Sequence, residues 1–277
     1  MRIFETLKPE NNLLKNYISY YYIDIADDLD YFSEYICYPH YNNTVSLYKS
    51  HTVAFYPENS VISFNEDEAP LQIFTPIREK ILKVTQNGPV HKIGIVFNTL
   101  GINQFLNKDF NIYQIVSSPS FMLFENEFVL QLFEENNLQK IASLLDNKLL
   151  NSFIKFTNSY LEKAIPLLHI VENDFNIDQL AELKLGISRK HLNRLFKKHV
   201  GITPQKFRTI VRFRQLMEYK LKTQQQSNYT SLSHQAHYTD QSHFIKACKQ
   251  LTNLTPSQFF KEGKIIGSED TFWNFIA

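Results

Sequence analysis

Residues 176–207 read NIDQLAELKLGISRKHLNRLFKKHVGITPQKF, and the organisation of the C-terminal half follows from them. Leu180, Ala181 and Leu185 give one apolar helix face, Gly186 marks a turn, and Ser188 is an N-cap for a second helix running to about His199. Helix, glycine turn, helix is the helix-turn-helix pattern. The second helix buries Leu192, Leu195 and Phe196, which leaves Lys190, Asn193, Arg194 and Lys197 on the opposite face at i, i+3, i+4 and i+7. Arginine and lysine suit guanine edges, asparagine suits adenine, and all of them can hold phosphate.

The pattern recurs 52 residues later, in SLSHQAHYTDQSHFIKACKQLTNLTPSQFF at 231–260. Asp240 falls over Ser188 as a helix cap, His243 over His191, Phe244 over Leu192, Lys246 over Arg194 and Lys249 over Lys197. Thr255-Pro256 falls over Thr203-Pro204, and Phe259 over Phe207. Between the units Pro204 opens a helix that continues to about Thr223, roughly 28 Å at 1.5 Å per residue. Two recognition helices held on such a spacer suit successive major-groove segments about 34 Å apart. The candidate DNA contacts are Arg189, Lys190, His191, Asn193, Arg194, Lys197 and Lys198 in the first unit, and Arg212 on the connecting helix. In the second unit they are Gln241, Ser242, His243, Lys246 and Lys249. The two histidines are read as phosphate or backbone ligands and not as catalysts.

Charge supports the division. The 277 residues carry a net charge of +1, yet residues 1–151 hold 11 basic and 18 acidic side chains, and residues 152–277 hold 18 and 10. Between Arg189 and Lys222 eleven basic residues meet one acid, Glu218. Such a stripe is either a nucleic-acid footprint or a solvated helix face. The opposite charge of the halves also permits the N-terminal half to mask the DNA surface.

Seven of the ten prolines precede residue 120. They punctuate β-rich runs at 18–23, 44–48, 52–56, 71–74, 80–84 and 91–97, which predict a compact sheet, sandwich or small barrel. Helical spacing begins at Gly101 with Ile102, Phe105 and Leu106. Residues 121–156 predict two helices broken at Asn136-Asn137, packed on the β domain or on a second protomer. Tyrosines crowd residues 17–41. Tyr20, Tyr22, Tyr38 and His40 are the candidates for a small-ligand pocket, against the ordinary reading of tyrosines as core. His40, His51 and His91 match no metal-ligand spacing, so no metal or other cofactor is expected.

The repeated unit, with RKHLNRLFKKHVGITPQKF in one copy and DQSHF and LTPSQF in the other, resembles the DNA-binding domain of AraC/XylS-type bacterial transcription regulators over about residues 155–262. GIVFNTLGINQFL is more weakly similar to the cupin-like sensing domain of some members. The resemblance implies an α+β two-domain protein. Residues 1–120 would be a mostly β, cupin-like barrel or sandwich, 121–154 trailing dimerisation or linker helices, 155–262 an all-α double helix-turn-helix, and 263–277 a tail. It implies double-stranded DNA as partner, a small-molecule effector or a protein partner on the N-terminal half, and as further partners a second copy of the chain and RNA polymerase.

Four departures carry expectations. Ala181 and Gly186 are five apart where the motif has four, which predicts a longer or differently set first turn. Ser233 and His237 replace the usual alanine and glycine in the second unit. Ala247-Cys248 replaces the larger Leu195-Phe196 and predicts thinner packing, and Ile245 stands in place of Asn193. Hence the first unit is expected to read sequence and the second to clamp phosphate.

Other classes are less well served. No GxSxG, HExxH, phosphate loop or paired-carboxylate spacing supports an enzyme in the N-terminal half. Cys37 alone does not supply the clustered reactive cysteines of alkyl-transfer domains. A protein-binding module acting through the 121–156 helices is the remaining alternative. Two cysteines without CxxC spacing, no apolar leader and no run of about 18 apolar residues predict a cytoplasmic protein away from membranes.

Overall fold

The computed structural model describes residues 2–107, 109–170, 175–223 and 241–276. Nine strands lead the chain: β1 (Arg2–Leu7), β2 (Ile18–Ala26), β3 (Phe32–Cys37), β4 (Asn43–Tyr48), β5 (His51–Phe55), β6 (Asn59–Phe64), β7 (Leu71–Thr75), β8 (Leu82–Asn87) and β9 (Val90–Phe97). A short β10 (Val116–Ser117) follows, and β11 (Lys264–Ile265) and β12 (Phe272–Phe275) close the chain. They form two six-stranded sheets, ordered β1-β2-β9-β4-β7-β10 and β11-β12-β3-β8-β6-β5. All pairings are antiparallel except β6 with β8.

Alternation along the strands builds two cores at once. On β2, Tyr20 and Tyr22 point between the sheets, where they join Tyr35, Tyr48, Val84, Val96 and Trp273. Tyr21 and Ile23 point the other way, with Val45, Leu47, Phe74, Ile93 and Ile95. That outer face is covered by α1 (Asn126–Glu134) and α2 (Leu138–Asn151), through Val129, Leu132, Ile141, Leu145 and Leu149. The break between them is made by Asn137, whose side chain accepts from the amides of Gln139 and Lys140. Asp146 of α2 ties the layers together: it accepts from the Tyr21 hydroxyl at 2.6 Å and from the amides of Glu10 and Asn11 at 2.8 Å. Both helices thus bury their apolar faces on the β domain. The helical spacing at Gly101 yields only one 3-10 turn, Ile102–Gln104.

The C-terminal half contains α3 (Ser159–His169), α4 (Ile177–Gln179) continued by a π turn (Leu180–Lys184), α5 (Arg189–His199), α6 (Pro204–Thr223), α7 (Gln241–Thr252) and α8 (Pro256–Glu262). Their shared core includes Leu161, Leu168, Leu180, Leu192, Phe196, Phe207, Phe213, Phe244 and Phe259, and it takes in Tyr38, Ile77 and Phe272 from the β half. The halves therefore share one apolar junction. Arg214 fixes it from α6, donating to the carbonyls of Pro39 (2.7 Å) and Tyr38 (3.0 Å).

Residues 263–277, expected as a tail, carry β11 and β12. Trp273 pairs with Cys37 in register, and Trp273 is 7% exposed. The chain thus leaves the second helix-turn-helix unit and returns to the β domain. Burial of Phe272 and Trp273 against rings that the β domain already presents is the physical reason.

Candidate nucleic-acid interface and barrel cavity

The first unit is held by local caps. Asn176 and Gln179 form a reciprocal capping box at the start of α4, and the Ser188 hydroxyl accepts from the His191 amide at 3.2 Å at the start of α5. The extra residue between Ala181 and Gly186 is absorbed as a π turn, with the Leu185 amide donating to the Leu180 carbonyl and the Ile187 amide to that of Ala181. Gly186 then takes φ +67°, a conformation that favours glycine.

On α5, Leu192 and Phe196 are fully buried and Leu195 is half-buried. Lys190, Arg194, Lys197 and Lys198 are exposed, and Asn193 is half-buried beside them. Arg189 is exposed and ion-paired with Asp178 at 2.9 Å. His191 packs its ring edge-on to Tyr160 of α3 at 5.7 Å, so it also has a structural contact. Lys190, Asn193, Arg194 and Lys197 line one open groove, whose far rim is Glu79 and Tyr113 of the N-terminal half. Glu79 also pairs with Lys206.

The basic stripe does not act as a unit. Arg208 is buried and donates to the Phe175 carbonyl, and Arg214 is the buried junction residue described above. Arg212, a candidate contact, lies half-buried on α6. The positions of Phe207, Ile210, Val211, Arg214 and Met217 at helical spacing place Arg214 on the apolar stripe of α6, a signal that the tally of charge alone passes over.

In the second unit Ser242, Lys246 and Lys249 are exposed on α7, and Ile245 is half-buried. Asp240, Ser233 and His237, and the side chains of Gln241 and His243, lie outside the described residues. The two units match in detail. Thr203 caps α6 through the Lys206 amide, as Thr255 caps α8 through the Gln258 amide with Gln258 reciprocating. Gly201 has φ +89°, and Asn253, 52 positions on, has φ +62°. Asparagine is the residue other than glycine that best tolerates this region. The thinner packing expected at Cys248 is offset: Phe244 is larger than its counterpart Leu192 where Cys248 is smaller than Phe196, and both are fully buried.

The pocket candidates also converge. Tyr20, Tyr22, Tyr38 and His40 all line one cavity of about 120 Å³ between the sheets. Its wall includes the C-terminal segment: the Tyr20 and Thr271 hydroxyls lie 2.8 Å apart, His40 Nε2 meets Asp270 at 2.7 Å, and Trp273 packs beside Tyr22. Burial pulls the His40 imidazole below its ordinary value, with Arg214 adding to the effect and Asp270 opposing it. Lys92 and Trp273, both on this wall, were passed over in the sequence. Lys92 is signalled there as a single charge inside VHKIGIVF.

These two regions define a helix-turn-helix protein with a two-sheet β domain. Residues 183–262 match the family model of a helix-turn-helix domain. Over 97 residues the chain is 38% identical to an uncharacterized HTH-type transcriptional regulator of Haemophilus influenzae. The match covers 35% of this chain and 32% of that protein, so about a third of the relative's length is spanned. The whole fold is similar to that of ToxT from Vibrio cholerae, with a TM-score of 0.50 over 93% of this chain and 98% of the other at 11% identity. Among the described residues no helix is long and apolar enough to cross a membrane.

Proposed function

We propose that the chain is a sequence-specific DNA-binding transcription regulator of the cytoplasm, without catalytic chemistry of its own. In this reading α5 and α7 enter successive major-groove segments of one bipartite site, and occupancy of the N-terminal cavity biases the pair between competent and incompetent arrangements. The observation that carries the reading is the repeat itself. Two helices of matched core, each followed by a left-handed turn and a threonine-capped helix, expose Lys190, Arg194 and Lys197 in one copy and Lys246 and Lys249 in the other, and the first is followed by a helix of about 30 Å. A second copy of the chain and RNA polymerase are the further partners this reading expects.

Selection of bound sequences from a random duplex pool with the full chain tests it. The expected result is an enriched bipartite site whose segments lie about one turn apart, with affinity falling steeply as salt rises. Failure to enrich any site overturns it.

A further inference from the structure

Residues 264–276 form a strap that runs from the second helix-turn-helix unit back over the β domain. Gly263 separates the end of α8 from β11, and a side chain added there would meet the Phe272 ring at 2.1 Å. Beyond it the strap is fastened to the first three strands in turn. The hydroxyls of Ser268 and Thr6, on β1, share a hydrogen bond of 2.6 Å, and Glu269 pairs with Lys8 just past that strand at 2.6 Å. Thr271 meets the hydroxyl of Tyr20 on β2. Trp273, Asn274 and Phe275 then run antiparallel to Cys37, Ile36 and Tyr35 of β3, and the Ile276 amide donates to the Glu34 carbonyl at 2.7 Å.

The same strap grips the second unit. Asn274 Nδ2 donates to Glu262 Oε2 at 3.1 Å, which ties β12 to the last residue of α8. The Phe272 ring lies 4.9 Å from that of Phe259 on α8, and the Tyr38 ring, just past β3, is 4.7 Å from Phe259 and 6.0 Å from Phe272. All three are buried. Phe259 belongs to the core that holds Phe244, Cys248 and Leu251 of α7, so α7 and α8 move with it. The first unit has contacts of its own with the β half: the Asn103 side chain donates to the His199 carbonyl at 3.1 Å, and Glu79 pairs with Lys206. Each unit is thus attached to the β domain separately, and α6 is one of two links between them.

We propose that the strap is a positioning element for DNA recognition: by clamping α8 to the β domain it fixes α7 relative to α5, and with it the spacing of the two DNA segments that the chain accepts. Phe272 and Asn274 are the positioning residues, acting through Phe259 and Glu262. The proposal rests on the reading of the chain as a regulator of bipartite sites. A stiff α6 limits how far apart the units lie, but groove entry also demands orientation. One base pair more between the segments shifts the second by about 3.4 Å and turns it by about 34°. A second unit held by buried rings cannot follow that turn, whereas one released from the strap can.

The test lengthens the tether and removes the ring contact while leaving β12 on β3. A Gly-Ser-Gly-Ser segment is inserted between Gly263 and Lys264 of the full chain, together with Phe272→Ala. Trp273 is the only tryptophan, so its emission reports that β12 is still seated. Affinity is then measured on duplexes whose two segments are moved closer or further apart by one and two base pairs. For the unaltered chain a fall of about tenfold or more within two base pairs of the optimum is expected, and for the variant a flattened profile within about threefold, with weaker binding at the optimum. A general loss of folded protein would lower affinity at every spacing by one factor and keep the profile sharp. That result, a flat profile in the unaltered chain, or tighter binding by the variant at the optimum overturns the proposal. If the combined variant does not fold, the insertion alone is read by the same criteria. A bipartite site whose sharp profile survives in the variant sinks this inference and leaves the regulator reading standing, whereas failure of the unaltered chain to select a bipartite site sinks both.

Discussion

Trp273 stacks on Tyr35 with ring centroids 4.3 Å apart and 17° between the planes. The contact joins a strand that follows the second helix-turn-helix unit to a strand near the start of the chain, and Trp273 also meets Phe4 and Tyr22 edge-on. Large buried aromatics of this kind cost about 3–5 kcal/mol when truncated. Trp273→Ala is therefore expected to lower the stability of the full chain by about that amount in denaturant unfolding. A loss within about 0.5 kcal/mol, the usual range for surface positions, would mean that β12 is dispensable.

The paired left-handed positions make a second prediction. At Gly201 the backbone has φ +89°, and an added Cβ would stand 3.0 Å from the Ile112 carbonyl oxygen. Gly201→Ala is expected to destabilise by about 1–2 kcal/mol. Asn253→Gly, at φ +62°, is expected to be neutral within about 0.5 kcal/mol or stabilising. Thermal unfolding of the two variants side by side checks the order, and the reverse order would contradict it.

Asn193 and Ile245 occupy equivalent positions on α5 and α7, but only asparagine can make paired hydrogen bonds to a base. Asn193→Ala is expected to cost about 1–3 kcal/mol on the selected site and relax preference at one position. Ile245→Ala should cost less, through loss of contact with a thymine methyl. Affinities measured on single-base variants of the site separate the two, and a greater loss of specificity from Ile245→Ala would show that the second unit reads the sequence.

His51 is buried with both ring nitrogens used: Nε2–H donates to the Pro89 carbonyl at 2.9 Å, and Nδ1 accepts from the Ser50 amide at 3.3 Å. Acceptance at Nδ1 needs the neutral ring, whereas the Nε2–H donor is present in both forms. Burial pulls its pKa from 6.5 down to about 4, with His91 adding a little and the Pro89 carbonyl opposing. The unfolded chain therefore takes up this proton first as pH falls. The contribution to stability is complete above pH 6.5 and is lost as pH drops towards 4, by about 3 kcal/mol over the whole window. Unfolding free energies of His51→Gln between pH 7 and 4 should show a flatter fall than those of the unaltered chain; parallel curves would contradict the assignment.

The sequence discloses the helix-turn-helix units because their determinants are local. Ser188, Thr203-Pro204 and Thr255-Pro256 are caps, and each is legible within four residues. Six of the twelve described strands show in the sequence, whereas β1, β3, β6, β10, β11 and β12 escape notice. The pairing of β12 with β3 joins residues more than two hundred positions apart, and FWNF carries no local sign of its partner. Arg208 and Arg214 count as DNA-facing charge in a linear tally, whereas both are buried, Arg208 on the Phe175 carbonyl and Arg214 on the Tyr38 and Pro39 carbonyls of the β half. Tyr20, Tyr22, Tyr38 and His40 fall on one cavity, but Lys92 and Trp273 join its lining only in the assembled sheets.

The central claim is that α5 and α7 read two segments of one site from one chain, and spacing tests it most directly. Binding of the full-length protein to its selected site is measured before and after insertion of about five base pairs, half a helical turn, between the two segments. The insertion turns one segment to the far side of the duplex while leaving every base of both segments intact. Affinity is expected to fall to that of a single segment, with a shallower dependence on salt as phosphate contacts of the second unit are lost. Unchanged affinity and unchanged salt dependence would contradict the account.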